Sequence, residues 1–411
     1  PCRQTPPPSQ AIMKAGRSRL AVFALPPVLA CGCPSRYFRD AGEPPASPPR
    51  YTLAGLPQPE HWTGIVFNGA KIGFSHSRVL PAAEQGLYEI RGEAVMLFRF
   101  LGIEKRMHLR AVETVDEDAK LVRFDYHYGL DESEKRVEGE VRDGRLYYQV
   151  TSAGRPPQKS SEPLGQALYP TGALSLLPVL QGLKVGSEFR WPVFNGETQS
   201  LSEAVQRIEA YQASELFDGA AFKVRTELMG LSSTTWIDAR GRPVFELGLN
   251  GVIVAALEDE QTAKGYLATA ALNRDDVLVR WSLIRAPLSL PDPRRAQFLR
   301  IALNRPPLSD ERQRCHKDSA DWICEIDATR SSGGGSPDGE LKPSATVQAH
   351  DATIRALAVK ITAGRESNAE RVRAVLGWLE ENIRKEPVDA FSALDVLDSR
   401  RAECQGHAYL Y

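Results

Sequence analysis

Cysteine is scarce in this sequence, with six residues among 411. That density is too low for a small disulfide-rich scaffold. Cys315 and Cys324 lie close in sequence and are predicted to pair if the protein reaches an oxidising compartment. A zinc site that includes His316 is the weaker interpretation, because no second ligand pair lies nearby at zinc-site spacing. Cys404 has no evident partner.

An excess of charge of either sign is also missing, since 51 Lys and Arg residues face 52 Asp and Glu residues, for a formal net charge of −1. A nucleic-acid binder normally carries a basic patch and a high pI, so no nucleic-acid partner is expected. The sequence has no Gly-rich phosphate loop and no carboxylate pair at a telling spacing. We therefore predict no cofactor and no metal site.

The N-terminal region lacks an apolar run long enough to span a bilayer. Residues 20–30 are apolar, but this run is short and follows a basic stretch that begins after Met13, the first methionine. The arrangement is typical of an export signal. We assign residues 13–33 to a signal peptide and residues 1–12 to upstream translation. A buried helix is disfavoured, because two adjacent prolines would break it.

The end of this signal resembles a bacterial lipobox, in which a cysteine after small or apolar residues receives a lipid. Cys31 is the candidate for lipidation, while cleavage before Cys33 and an ordinary secretory signal are the alternatives. Residues 34–61 are rich in proline and glycine and predict a tether. We expect a periplasmic or cell-envelope protein that meets the membrane only through its signal or a lipid anchor.

Residues 62–283 carry the pattern of β-structure. Short strand-like stretches recur between turn residues such as Asn68-Gly69 and Asp143-Gly144. The spacing favours an antiparallel sheet or sandwich. Histidines are scattered through this region and form no catalytic constellation. Residues 284–339 are predicted to be a connector that ends in a Gly-rich linker.

In residues 340–411 the apolar residues recur at the spacing of an α-helix. Three helices are predicted before Cys404, the second of them opened by a capping box at Ser367 and Glu370. Cys404 itself lies where a turn passes into a further helix. The free amides of a helix N-terminus favour a thiolate, so the pKa of this thiol is predicted to fall below about 8.5. A thiolate can attack an amide or ester carbonyl.

This last segment resembles the active-site segment of the transglutaminase-like superfamily, which has a papain-like cysteine acyl-transfer fold. Cys404 and the small residue Ala408 match two positions of that segment, and a preceding helix with Trp378 matches the upstream order. The family often has glycine before the cysteine, whereas this chain has Ala402-Glu403. The resemblance covers residues 340–411.

A second resemblance concerns the β-rich region. Lys71-Ile72-Gly73 and the stretch from Trp236 to Gly241 are similar to a β-rich module that precedes transglutaminase-like domains in bacterial envelope proteins. Together the two resemblances imply an α+β multidomain protein. An N-terminal antiparallel β-rich domain would be followed by the helical start of a transglutaminase-like α+β domain, truncated within its catalytic part.

The resemblance implies that Cys404 is the catalytic nucleophile and that the catalytic His and Asp lie beyond Tyr411. Whether this fragment is an enzyme is therefore left open. His407 is interpreted as a helix-packing residue rather than the general base. The implied function is cysteine-dependent acyl transfer, or hydrolysis of amide bonds, through a thioester formed with a protein or peptide substrate. The alternative is a non-catalytic envelope scaffold or a binding lipoprotein.

Overall fold

A computed structural model describes residues 37–411, apart from residues 101, 153–155, 249–250, 278, 280–291, 293–294, 304–306, 308, 310, 320, 331–342 and 387. The predicted upstream segment and signal, with Cys31, lie outside the described residues. So does the Gly-rich linker.

Strands dominate the first two thirds of the described chain. The first nine are β1 (Phe38–Asp40), β2 (Glu60–Phe67), β3 (Ala70–Pro81), β4 (Tyr88–Phe100), β5 (Ile103–Val115), β6 (Leu121–Leu130), β7 (Ser133–Arg142), β8 (Arg145–Ser152) and β9 (Gln158–Pro163). The next six are β10 (Glu188–Asn195), β11 (Ser200–Ser214), β12 (Phe217–Leu228), β13 (Leu231–Asp238), β14 (Pro243–Gly248) and β15 (Ile253–Glu258). All fifteen join one sheet.

The strands form because their side chains alternate between a buried and a more exposed face. In β8, Leu146, Tyr148 and Val150 are buried while the residues between them are not. The hairpin turns follow the sequence signals: Asn68-Gly69 and Asp143-Gly144 both take positive φ at the two central positions. The predicted turns therefore set the register of β2–β3 and of β7–β8.

The strand order is β1-β11-β12-β13-β14-β15-β2-β3-β4-β5-β6-β7-β8-β9, with β10 also paired to β11 and each pair antiparallel. The sheet folds back on itself around helix α1 (Leu177–Gln181). Leu177 of that helix packs in one cluster with Val115 of β5 and Trp191 of β10. Strands that are distant in the sheet thus share one core.

Smaller elements complete the structure. Helices α2 (Glu260–Lys264) and α3 (Leu267–Leu272) pack on the β2–β4 part of the sheet. A separate antiparallel sheet contains β16 (Phe298–Leu303), β17 (Gln313–Asp318) and β18 (Asp321–Asp327). The predicted disulfide is confirmed: Cys315 on β17 bonds to Cys324 directly opposite on β18.

We call residues 343–411 the C-terminal segment. Its elements are α4 (Ala352–Thr362), α5 (Asn368–Asn382), β19 (Arg384–Lys385), α6 (Ala393–Ser399), β20 (Arg401–Ala402) and α7 (Cys404–Leu410). The predicted capping box is present, since Ser367 and Glu370 exchange side-chain-to-backbone hydrogen bonds at the start of α5. Within the described residues, no helix has the length and apolar character needed to cross a membrane.

The transglutaminase-like assignment and the α+β multidomain fold class are wrong. The described chain is organised around one 15-stranded antiparallel sheet. The helices of the C-terminal segment do not form a packed transglutaminase-like layer: α4 buries no side chain, and Val359 and Leu376 are 71% and 50% exposed. A helical period and a cysteine at a helix start are local features, and many folds contain them.

Candidate binding groove

Cys404, the predicted nucleophile, is the exposed first residue of α7. Glu403 caps this helix by accepting hydrogen bonds from the amides of Gln405 and Gly406, at 3.0 and 3.3 Å. The other carboxylate oxygen of Glu403 accepts a hydrogen bond from the Cys404 thiol at 3.0 Å. This contact, together with burial, raises the pKa of Cys404. The effect is opposite to the one expected from the helix N-terminus.

His407 does not assist the thiol. Its Nδ1 lies 2.9 Å from the Glu403 carbonyl oxygen, one turn back along the helix. The interpretation of His407 as a helix-packing residue agrees with this contact. The catalytic role of Cys404 and the lipidation of Cys31 stay predictions.

A first test concerns the Cys404 thiol. Replacing Glu403 by glutamine should speed alkylation of Cys404 by iodoacetamide near pH 7.5, because the variant no longer places a carboxylate against the thiol. In the unchanged protein the rate should still be rising above pH 8.5. Mass spectrometry of the labelled peptide gives both rates. Equal rates in the two proteins would show that Glu403 does not control this thiol.

The sheet meets the C-terminal segment at a groove of about 590 Å³. One wall is the turn between β6 and β7, and the other is the loop before α6 together with α6 itself. We call this opening the acidic groove, because its lining contains six carboxylates: Asp131, Glu132, Glu134, Asp389, Asp395 and Asp398. Arg401 also lies in this lining and brings a positive charge.

Two of these carboxylates also hold a buried ammonium group. Lys105 Nζ lies 2.6 Å from Asp389 Oδ2 and 3.3 Å from Asp131 Oδ2, and only 5% of the Lys105 side chain is exposed. Burial opposes the charge on Lys105, but the hydrogen bonds to the two aspartates prevail and raise the pKa of its ammonium. Burial raises the pKa of Asp389, against the influence of Lys105.

A second buried lysine lies beside this pair. Lys135 on β7 donates to the Glu197 carbonyl oxygen at 2.7 Å, and its Nζ lies 4.8 Å from the centre of the Phe391 ring. Burial lowers the pKa of Lys135. The neighbouring Ser133 hydroxyl donates to the Asp389 carbonyl oxygen at 2.6 Å. The loop before α6 is therefore attached to the sheet by polar contacts and one aromatic ring.

Little in the sequence indicates this groove. The run Asp131-Glu132-Ser133-Glu134 could have been noticed as an acidic hairpin turn. Nothing in the sequence indicates that it lies opposite the carboxylates of α6, because the two walls are more than two hundred residues apart. In the part of the chain that the structure describes, no group of three or more His, Cys, Asp or Glu residues is placed to hold a metal ion.

No protein-family model matches this chain, and no curated protein matches it. Among solved structures, the chain is similar to a β-barrel-like protein of a domain of unknown function, DUF1849, from Brucella abortus. The TM-score is 0.38 and the sequence identity is 10%, over 48% of this chain and 94% of that chain. The predicted resemblance to the transglutaminase-like superfamily is wrong for the reason already given, the single large sheet that organises the described residues. The predicted cysteine-dependent acyl transfer stays a prediction.

Proposed function

We propose that this protein is a non-enzymatic binding protein of the cell envelope, and that its acidic groove takes a basic segment of a protein or peptide partner. The observation that carries the proposal is the ammonium of Lys105 held between Asp131 and Asp389, two lining residues of a groove with four further carboxylates. The groove thus already coordinates the kind of group that a lysine or arginine side chain of a partner would bring.

The size and charge of the groove suit such a partner. Its volume of about 590 Å³ falls within the range of about 300–1,000 Å³ that is usual for ligand pockets. Glu132 and Glu134 are exposed on one wall, and Asp398 is exposed on the other. A positive side chain that entered the groove would meet the exposed carboxylates of Glu132 and Glu134. The attraction should weaken with salt, because exposed charges are screened within about 10 Å at 0.1 M.

The proposed envelope location has separate support. The export signal is a sequence prediction, and the Cys315–Cys324 bond agrees with it, since disulfides persist mainly in oxidising compartments. Attachment through a lipid on Cys31 is part of the proposal and is tested by mass spectrometry of the mature N-terminus.

The binding proposal is tested with a short fluorescent arginine–serine peptide and fluorescence anisotropy. Replacing both Glu132 and Glu134 by glutamine should weaken binding by about two- to thirtyfold, since exposed ion pairs contribute about 0.2–1 kcal/mol each. A glutamate–serine peptide should not bind. Higher salt should weaken the arginine–serine complex.

The matched control for this test is Asp143→Asn, which neutralises an exposed carboxylate in the turn at the opposite end of β7. The strand runs from Ser133 to Arg142, so this turn lies about 30 Å from the groove. Asp143→Asn should bind the peptide as the unchanged protein does. If the control loses as much affinity as the double variant, the attraction is a general charge effect and the groove is not the site.

A further inference from the structure

The two walls of the acidic groove come from different parts of the chain, and their contact is almost wholly polar. In the described residues, each hydrophobic cluster draws its members from one side only. The cluster of the C-terminal segment contains Leu379, Ile383, Val396 and Ala402, and the sheet cluster with members on β7 is formed by residues of β6, β7, β8 and β10 with their neighbours. No shared apolar core therefore fixes the segment to the sheet.

The polar contact itself gives little net stabilisation. Lys105 and Asp389 must both lose water to form their ion pair, and the loss of hydration can equal the attraction. Lys135 is also buried at this contact, without a carboxylate among its hydrogen-bond partners. Beside it lies a polar-lined cavity of about 20 Å³ between Lys135 and Phe391, large enough for one water molecule. The contact is thus incompletely packed, and its separation would return two lysines and an aspartate to water.

We infer that the Lys105–Asp389 pair is a latch that docks the C-terminal segment on the sheet and thereby assembles the acidic groove. With the latch closed, Phe391 covers Lys135 and the two acidic walls face each other. With the latch open, the walls separate, and the sheet presents Lys105 and Lys135 instead of an acidic site. The groove is therefore a property of the docked state.

This inference rests on the proposed function in one respect only. If a basic partner binds between the walls, it stabilises the docked state. By reciprocity, opening the latch must weaken the binding of that partner. The docking itself can be tested with no partner present.

The test is amine labelling of the full chain with acetic anhydride, read by mass spectrometry. Asp389→Ala removes the latch at Lys105 without altering any residue that touches Lys135. We expect Lys135 to be acetylated at least about ten times faster in this variant, because the whole loop detaches as a unit. Exposed Lys159 on β9 should react at the same rate in both proteins.

Lys105→Met is the second variant and serves if Asp389→Ala does not fold. Methionine can fill the buried site of Lys105 without a charge, so this variant should keep the fold. It should also speed the acetylation of Lys135. The matched control is Lys120→Met, which removes a lysine from a surface pair with Asp118 and should change nothing. Folding of each variant is checked by circular dichroism.

If Lys135 stays protected in both folded variants, the latch is overturned, whether or not the peptide binds. If Lys135 is released but the arginine–serine peptide binds as tightly as before, the latch holds and the groove is not the binding site. Release of Lys135 together with weaker peptide binding supports both.

Discussion

Replacing Glu113 by glutamine is expected to stabilise the protein at pH 8 by about 3 kcal/mol and to change its stability little at pH 4. Glu113 on β5 is 1% exposed. Its Oε1 accepts hydrogen bonds from the Tyr126 hydroxyl at 2.7 Å and the Gly172 amide at 3.2 Å. Burial outweighs these bonds and raises the pKa of Glu113 from 4.5 to about 7.

The raised pKa of Glu113 determines how the free energy of unfolding changes with pH. Below pH 4.5 the carboxyl is protonated in both the folded and the unfolded chain, and it imposes no electrostatic penalty. As the pH rises toward 7, the unfolded chain releases its proton first, so folding becomes progressively less favourable. Above about pH 7 the folded protein also carries the buried charge, and the penalty is constant. Each pKa unit corresponds to about 1.4 kcal/mol, which gives the expected size.

Urea denaturation of both proteins at pH 4, 6 and 8 measures the effect. The quantity to compare is the change in the free energy of unfolding with pH, since Glu113→Gln can also alter packing by a constant amount. Glu117→Gln, at an exposed position of the next turn, is the control and should follow the unchanged protein. Parallel pH curves for Glu113→Gln and the unchanged protein would refute the raised pKa.

The other large effect is expected in the core. Phe194→Ala should lower the free energy of unfolding by about 3–5 kcal/mol, the usual range for truncating a buried phenylalanine. Phe194 on β10 is 1% exposed, and its ring centre lies 5.3 Å from that of Phe124 and 5.0 Å from that of Tyr148. It thus connects β10 to the β6–β8 part of the sheet, and its loss would leave a cavity where two distant parts of the sheet meet.

The control for Phe194→Ala is Leu272→Ala, at the end of α3, where the side chain is 78% exposed. Its truncation should change stability by less than about 0.5 kcal/mol, as is usual for surface positions. Thermal and urea unfolding measure both variants. A loss below about 1 kcal/mol for Phe194→Ala would mean that the fold-back of the sheet does not depend on this ring.

Local features of the fold could be predicted from the sequence, because their causes are local. Two-residue turns such as Asn68-Gly69 fix a hairpin on their own, and Ser367 with Glu370 fixes a helix start. The strand order could not be predicted in the same way. Phe67 of β2 pairs with Ile253 of β15, and no short pattern records a contact across that distance.

The candidate groove could not be predicted from the sequence for the same reason. The sequence directs attention to Cys404, since a cysteine at a helix start is conspicuous, yet the neighbouring Glu403 raises the pKa of its thiol. The groove depends instead on Lys105 meeting Asp389, a contact between a strand and a distant loop. Each of these residues is ordinary in its own part of the sequence.

The pairing of β2 with β15 also decides the order in which the sheet can be completed. The hairpins from β2 to β9 join neighbours along the chain and can form as soon as they are synthesised. One edge of β2 can pair with β3 early in synthesis. The other edge of β2 stays unpaired until β15 has been synthesised. During that interval an unpaired edge with Ile65, Val66 and Phe67 is open to other chains. The nascent protein thus exposes an edge open to aggregation at a strand that, once folded, lies in the interior of the sheet.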